Sequence, residues 1–387
     1  MQDARLVLAC GIAAVVSFFA IAILRKLAEP MGLVDRPNER KHHVGNVPLI
    51  GGLAIFLGVV AGAWWVGYFD LFPRVRVILE TAAVLMVVGA LDDRHDLSVE
   101  SRLLVQVTAI LVVIASTGVY VESLGHLFGH EVHLGWAGIP FTVLAVIGLL
   151  NAFNMMDGID GLAGGLCLVS VGTLLLFSSP LGSRGFLNIT ILLAAAVLPY
   201  LAWNLGFFGR KIFMGDAGSM VVGYLLAWAL IGTSQSHTHH LSPVDVLWCV
   251  ALPVLDTLAV IYRRLRQGKS PFKPDRGHIH HILLATHIKP RRTLVCLLAL
   301  AGAFAFFGSV VRMFGSAVNL LTFCGFIAVY VMLTDRIWAR QEARRNRSAS
   351  VLIAASDAGI ALQIQTMPYR VQAFYPQPEA EAVGDDL

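Results

Sequence analysis

Long apolar runs alternate with short polar segments along most of this chain. The runs fall at roughly 6–24, 48–69, 77–91, 102–120, 136–152, 159–179, 187–208, 218–235, 245–262, 293–314 and 317–335. A helix rises about 1.5 Å per residue, so some 20 apolar residues match the hydrocarbon thickness of a bilayer. The pattern predicts an all-α integral membrane protein with about eleven transmembrane helices. A signal-peptide core would be about 7–15 residues with a small-residue cleavage site after it. The first run is longer and continues into "RKLAEPMGLVDRPNERKHH". It reads as a retained helix.

Composition strengthens that reading. The 387 residues are 57% apolar and 14% charged, whereas a soluble domain carries about 25% charge. Net charge is only +4, and no nucleic-acid partner is expected. The distribution of charge says more. Of the 29 Lys and Arg residues, 24 lie in alternate loops and the C-terminal segment, and Arg5, Arg74, Arg76, Arg184 and Arg312 lie on the other side. The positive-inside rule then puts the N-terminus outside and the C-terminus in the cytoplasm. Residues 1–336 read as a polytopic membrane catalytic domain, and 337–387 as a cytoplasmic tail, basic then acidic, solvated and mobile. The five cysteines stand singly in apolar runs, with no CxxC spacing for a zinc site or a disulfide framework.

Four polar segments fall on the predicted cytoplasmic side: "LDDRHDLS" (91–98), "NAFNMMDGIDG" (151–161), "IFMGDAGSM" (212–220) and "RRLRQGKSPFKPDRGHIHH" (263–281). Asp92, Asp93, Asp157, Asp160 and Asp216 supply hard oxygen ligands suited to Mg²⁺, with Mn²⁺ as the alternative. Arg263, Arg264, Arg266, Lys269, Arg276, His278, His280 and His281 supply donors for phosphate oxygens. Carboxylates, a metal and a basic loop are the parts of a phosphoryl-transfer site. Gly158, Gly161, Gly215 and Gly218 beside the acids give room for backbone or ligand. Each segment alone has a plainer reading as a helix cap, a polar turn or a topological charge. Their meeting on one face favours chemistry. Asp256 stands apart, inside an apolar run; a functional acid and a structural ion pair are equally good readings of it.

These motifs, with "GLVDRPNERKHHVGNVPLIGG" before them, resemble the polyprenyl-phosphate N-acetylhexosamine-1-phosphate transferases over about residues 30–285. Within them the chain is most similar to the undecaprenyl-phosphate N-acetylglucosamine-1-phosphate transferase branch. The resemblance implies a bacterial inner-membrane enzyme, commonly dimeric, with its active site facing the cytoplasm. Its substrates would be UDP-N-acetylglucosamine and undecaprenyl phosphate, its cofactor Mg²⁺, and its leaving product UMP. It implies Asp216 and Asp92 at the metal, with Asp92 and Asp93 flanking the reacting phosphates. Asn154, Asp157 and Asp160 would line the nucleotide pocket, and Phe213 would stack on uracil. His278, His280 and His281 would meet the diphosphate and sugar, with Arg266, Lys269 and Arg276 beside them.

The acceptor is a phosphate monoester with a second pKa near 6, so it is largely a dianion at neutral pH. A strong base is hardly needed, and direct attack is expected in place of a covalent aspartyl intermediate, with Asp93 or Asp92 orienting or deprotonating the acceptor. Against the muramyl-pentapeptide branch, this chain has Asp96 where that branch has lysine, and "HIHH" interrupted by Ile279 where it has three consecutive histidines. N-acetylglucosamine is therefore the expected sugar, with another N-acetylhexosamine as runner-up. A cation-coupled transporter is the rival from a different class, but it would put ionisable residues near mid-bilayer on broken helices. Here only Asp256 and Glu80 lie well inside a run, and no internal repeat is evident.

Overall fold

A computed structural model of the chain describes residues 2–35, 45–178, 184–235, 241–270 and 277–357. The chain divides into two compact units, Met1–Val331 and Met332–Leu387. Its first part runs α1 (Gln2–Met31), β1 (Val34–Asp35), β2 (Val47–Pro48), α2 (Gly51–Trp65), α3 (Tyr68–Leu71), α4 (Pro73–His95) and α5 (Val99–Thr117). The antiparallel pair β3 (Ser123–Leu127) and β4 (His130–His133) follows, then α6 (Gly138–Met156), α7 (Leu162–Phe177), α8 (Arg184–Asn204) and α9 (Gly215–Ser234). The remainder is α10 (Asp245–Cys249), α11 (Ala251–Arg266), α12 (Ile279–Ala285), α13 (Pro290–Val311) and α14 (Ser316–Asp357).

Among the described residues, α1, α5, α6, α8, α9, α13 and α14 are long and apolar enough to cross a membrane, and α2 and α7 are shorter apolar helices. This is a multi-pass membrane protein. The run expected at 77–91 belongs to a longer helix, α4, which begins with Pro73 at its N-terminus and carries Arg74, Arg76 and Glu80. The run expected at 245–262 is broken between α10 and α11. Pro253 explains the break, since it has no N–H for the carbonyl of Cys249 and its ring would clash there. Ser98 starts α5 by accepting from the Ser101 amide at 3.2 Å, and Gly118, in the left-handed region at φ 67°, closes it.

The centre of the first unit is α9, buried almost throughout. Small residues let its neighbours come close. A Cβ on Gly52 of α2 would lie 2.1 Å from the Cα of Gly218, one on Gly89 of α4 would lie 2.4 Å from the Cα of Ala217, and one on Gly223 would lie 2.8 Å from the Cα of Leu150 in α6. The first two contacts fall at the N-terminal end of α9, near the polar ends of its neighbours. Asp92 and Asp93 follow Gly89 within one turn, and Asp216 directly precedes Ala217. Val7, Val15, Phe19 and Ile23 leave much of the outer face of α1 exposed, as a lipid-facing helix requires.

Candidate active site

The first turn of a helix has amide hydrogens with no partner inside the helix. In α9 they are met from another helix. Asp93, near the end of α4, accepts from the amide of Asp216 at 2.8 Å through Oδ1 and from that of Ala217 at 3.2 Å through Oδ2. Gly215 has φ 76°, and a Cβ there would come 2.6 Å from Asp93 Oδ2, so backbone and space both call for glycine. Asp92 is buried; its Oδ1 accepts from the Leu97 amide at 2.8 Å and its Oδ2 from Arg102 Nη1 at 2.7 Å. The same Arg102 nitrogen lies 3.6 Å from Asp216 Oδ2. One guanidinium thus serves two carboxylates brought together by α4 and α9.

The turn between α6 and α7 supplies the next acids. Ser219 Oγ donates to Asn154 Oδ1 at 2.8 Å, tying the end of α6 to α9. Asp157 ends α6, and burial, then the charges of Asp216, Asp93 and Asp160, push its carboxyl well above the usual carboxylate range. Asp160 forms an ion pair with Lys211. Asn204 is buried beneath this turn, accepting from the Gly161 amide at 2.6 Å and donating to the Ile212 carbonyl at 2.8 Å. Phe213 is half-buried, its backbone bonded to Pro48 and Gly51 at 2.9 Å each.

The histidine segment closes over that turn. His278 and His280 are buried and their rings are nearly parallel, 6.0 Å apart, with His281 4.1 Å from His280. A Cβ on Gly158 would lie 2.1 Å from His280 Nε2, so glycine is what admits the ring. His280 is 1% exposed, and among the described residues neither ring nitrogen has a hydrogen-bond partner. Burial, then the nearby His281 and His278, lower its pKa to about 2. It is therefore a neutral imidazole at physiological pH, offering one N–H and one lone pair. Arg263 donates to the Gly277 carbonyl at 3.0 Å, and Arg264 to that of Ser270 at 2.6 Å. Arg266 and Lys269 are exposed at the end of α11. Arg276 lies outside the described residues.

Residues 75–234 match the family model described as glycosyl transferase family 4, which takes in all five acids. The undecaprenyl-phosphate alpha-N-acetylglucosaminyl 1-phosphate transferase of Escherichia coli (strain K12) is 40% identical over 350 residues, covering 86% of this chain and 93% of the relative. The protein of the same name from Yersinia pestis is 42% identical over 298 residues, covering 76% and 81%. That from Haemophilus influenzae is 35% identical over 285 residues, covering 73% and 80%. This chain belongs to the family of undecaprenyl-phosphate alpha-N-acetylglucosaminyl 1-phosphate transferases. The long shared span makes the transferase frame apply to the acid cluster and the histidine segment together.

Within that transferase site the donor set suits a hard divalent cation. Asp92 and Asp216 are close enough to hydrogen-bond, and Asp93 and Asp157 crowd Asp216, with Arg102 as a nearby cation. Among the described residues, no three His, Cys, Asp or Glu side chains form a cage by themselves. Mg²⁺ binds through one or two carboxylates plus substrate phosphates, and Asp92 and Asp216 could supply those carboxylates. Four residues of the site were not singled out from the sequence: Arg102, Lys211, Asn204 and Ser219. Arg102 and Lys211 counted there only as topological charge. Ser219 lies inside the segment "IFMGDAGSM", and Asn204 carries no signal in the sequence.

Proposed function

We propose that this protein transfers N-acetylglucosamine 1-phosphate from UDP-N-acetylglucosamine to undecaprenyl phosphate, giving undecaprenyl-diphosphate-N-acetylglucosamine and UMP. The observation that carries the reading is the meeting of Asp92, Asp93 and Asp157 around Asp216 at one end of α9, with Arg102 shared by Asp92 and Asp216, in a chain 40% identical to the Escherichia coli transferase over most of both lengths. An acceptor phosphate oxygen attacks the sugar-linked phosphorus, and the bond to the UMP phosphate oxygen breaks. UMP leaves with that oxygen. Because the acceptor is already a dianion, the residues need to orient more than to deprotonate.

Asp216 and Asp92 would hold Mg²⁺ or Mn²⁺, which when bound would offset the negative charge of donor and acceptor. Arg102 fixes the carboxylate of Asp92. Asp93 holds the first turn of α9 and would orient the acceptor. Asn154, Asp157, Asp160 and Phe213 would line the nucleotide side. His280, with its two unpartnered nitrogens, and His278 and His281 would serve the diphosphate and sugar, with Arg266, Lys269 and Arg276 at the rim.

The test is UMP release by purified protein given undecaprenyl phosphate and, in parallel, the N-acetylglucosamine, N-acetylgalactosamine and muramyl-pentapeptide donors. Chelation should stop it, and Mg²⁺ should restore it. Preference for the muramyl donor would overturn the branch; preference for N-acetylgalactosamine, only the sugar. Exchange of labelled UMP into the donor without lipid phosphate would favour a covalent intermediate over direct attack.

The proposal includes a bacterial inner membrane, eleven crossings, and the site on the cytoplasmic face. Cysteines introduced at positions 45 and 270 should label from the cytoplasm, and one at 184 from outside. Labelling of 270 from outside would invert the orientation. A homodimer is expected, and the mass of the purified protein in detergent, corrected for bound detergent, will decide it.

A further inference from the structure

Asp256 lies in the middle of α11, 1% exposed. A carboxylate removed from water is costly unless donors converge on it. Three do. His278 Nδ1 lies 2.7 Å from its Oδ2, the Ile279 amide donates to its Oδ1 at 2.9 Å, and the Tyr330 hydroxyl donates to its Oδ1 at 3.1 Å. His278 and the Tyr330 hydroxyl are buried with it, and Arg263, further along α11, donates to the carbonyl of Gly277 at 3.0 Å. The histidine segment is therefore fastened to α11 on its buried side at three consecutive residues, Gly277, His278 and Ile279.

We propose that Asp256 is a positioning residue for the transfer reaction: it accepts Nδ1–H of His278, fixes that tautomer, and sets the first turn of α12 so that His280 stands against Gly158. Which imidazole nitrogen carries the proton is set by the partner of the other one. A carboxylate has no hydrogen to give, so the proton sits on Nδ1 and a neutral His278 keeps its lone pair on Nε2, directed away from α11. The same carboxylate takes the Ile279 amide, a first-turn donor that no side chain within α12 caps. One acid thereby fixes both the proton and the orientation of the segment. The proposal rests on the transfer reading of the same site.

Asp256→Asn separates this role from simple packing. The amide oxygen can still accept from Ile279 and Tyr330, but its NH₂ group now faces His278, so Nδ1 must accept and the proton moves to Nε2. In ¹⁵N spectra of histidine-labelled protein, with His278→Gln to assign the signal, wild type should carry the proton on Nδ1 and Asp256→Asn on Nε2. A wild-type Nε2–H tautomer overturns the proposal, whether or not the protein releases UMP and whether or not the variant folds. In the UMP assay, Asp256→Asn should lower kcat about 10–100-fold with KM for the UDP-sugar within about threefold. Added to His278→Gln, it should cost less than about threefold more, since it acts through that ring. Tyr330→Phe removes a bond to the same carboxylate without touching His278, and should cost less than about threefold. Independent losses in the double variant, or a Tyr330→Phe loss equal to that of Asp256→Asn, would make Asp256 a packing residue. No UMP release by wild type with any donor would fell the transfer reading, leaving the tautomer to be decided by the spectra.

Discussion

The two ends of α9 lead into opposite kinds of acid cluster. Beyond its C-terminus, Asp245 is buried and matched atom for atom. Its Oδ1 accepts from Asn319 Nδ2 at 2.7 Å, its Oδ2 from the Ser242 amide at 3.0 Å, and Arg312 stands 3.8 Å away. Asn319 Oδ1 in turn accepts from Trp248 Nε1 at 2.6 Å. At the N-terminus, Asp216 has Asp92, Asp93 and Asp157 around it and shares Arg102 with Asp92. From one end to the other, this 20-residue helix runs about 30 Å, about a bilayer's thickness. In the first cluster, the buried carboxylate is met by protein donors. The second crowds Asp216 with three further carboxylates, a repulsion that a bound cation would relieve, and such crowding marks functional sites more than structural polar cores.

The largest expected effect breaks the crowded cluster. Asp216→Asn should lower UMP release by at least about 10³-fold, some 4 kcal/mol of transition-state stabilisation. The melting temperature in detergent should stay at or above that of wild type, because a repelling charge is gone. Mg²⁺ should raise the melting temperature of wild type and leave that of the variant unchanged. Near-normal Mg²⁺-dependent turnover would take Asp216 out of the metal site.

The matched cluster should respond the other way. Asn319→Ala leaves Trp248 Nε1 and Asp245 Oδ1 without partners in a buried setting, at a cost of about 2–4 kcal/mol. Thermal unfolding should shift down accordingly, while turnover per folded molecule stays within about twofold. Lost turnover with unchanged melting would mean that this end also serves the reaction.

The contrast was only half readable from the sequence. Hydropathy and run length gave the membrane class, since lipid imposes a composition on whole segments, and the acid motifs stood out because charge is rare in such a chain. What joins them depends on packing between distant residues. Gly52 and Gly218 are far apart in sequence, and nothing in either motif says that their backbones cross. Glycines read as room for backbone or ligand admit protein neighbours: Gly158 faces His280, Gly215 faces Asp93 and Gly161 faces Leu205. The capping of α9 by Asp93 needs two helix ends to meet, which no local spacing encodes. Arg102 looked like one more positive-inside charge, because its partners become visible only once α5 folds back beside α4. The breaker Pro253, by contrast, lay in plain view inside the run 245–262, where apolar length outweighed it.

The smallest expected effect sharpens the comparison at His280, a buried ring at the crowded end whose two nitrogens have no partner among the described residues. Its pKa in the fold is about 2, against about 6.5 for an unperturbed histidine. Between these values the unfolded chain binds a proton that the folded chain does not, so stability falls as pH falls. The loss is fully avoided well above pH 6.5 and grows through the window below it. From pH 7.5 to pH 5 the histidine alone should cost about 2 kcal/mol, a figure set by the unfolded pKa as long as the folded one stays below 5. His280→Phe removes the titrating group while keeping an apolar ring. Unfolding of both proteins at several pH values reads the difference, and the histidines outside this segment cancel. The variant should lose less stability on acidification than wild type. Parallel pH profiles would mean that His280 takes up a proton as readily in the fold as in the unfolded chain, and that a partner reaches its ring.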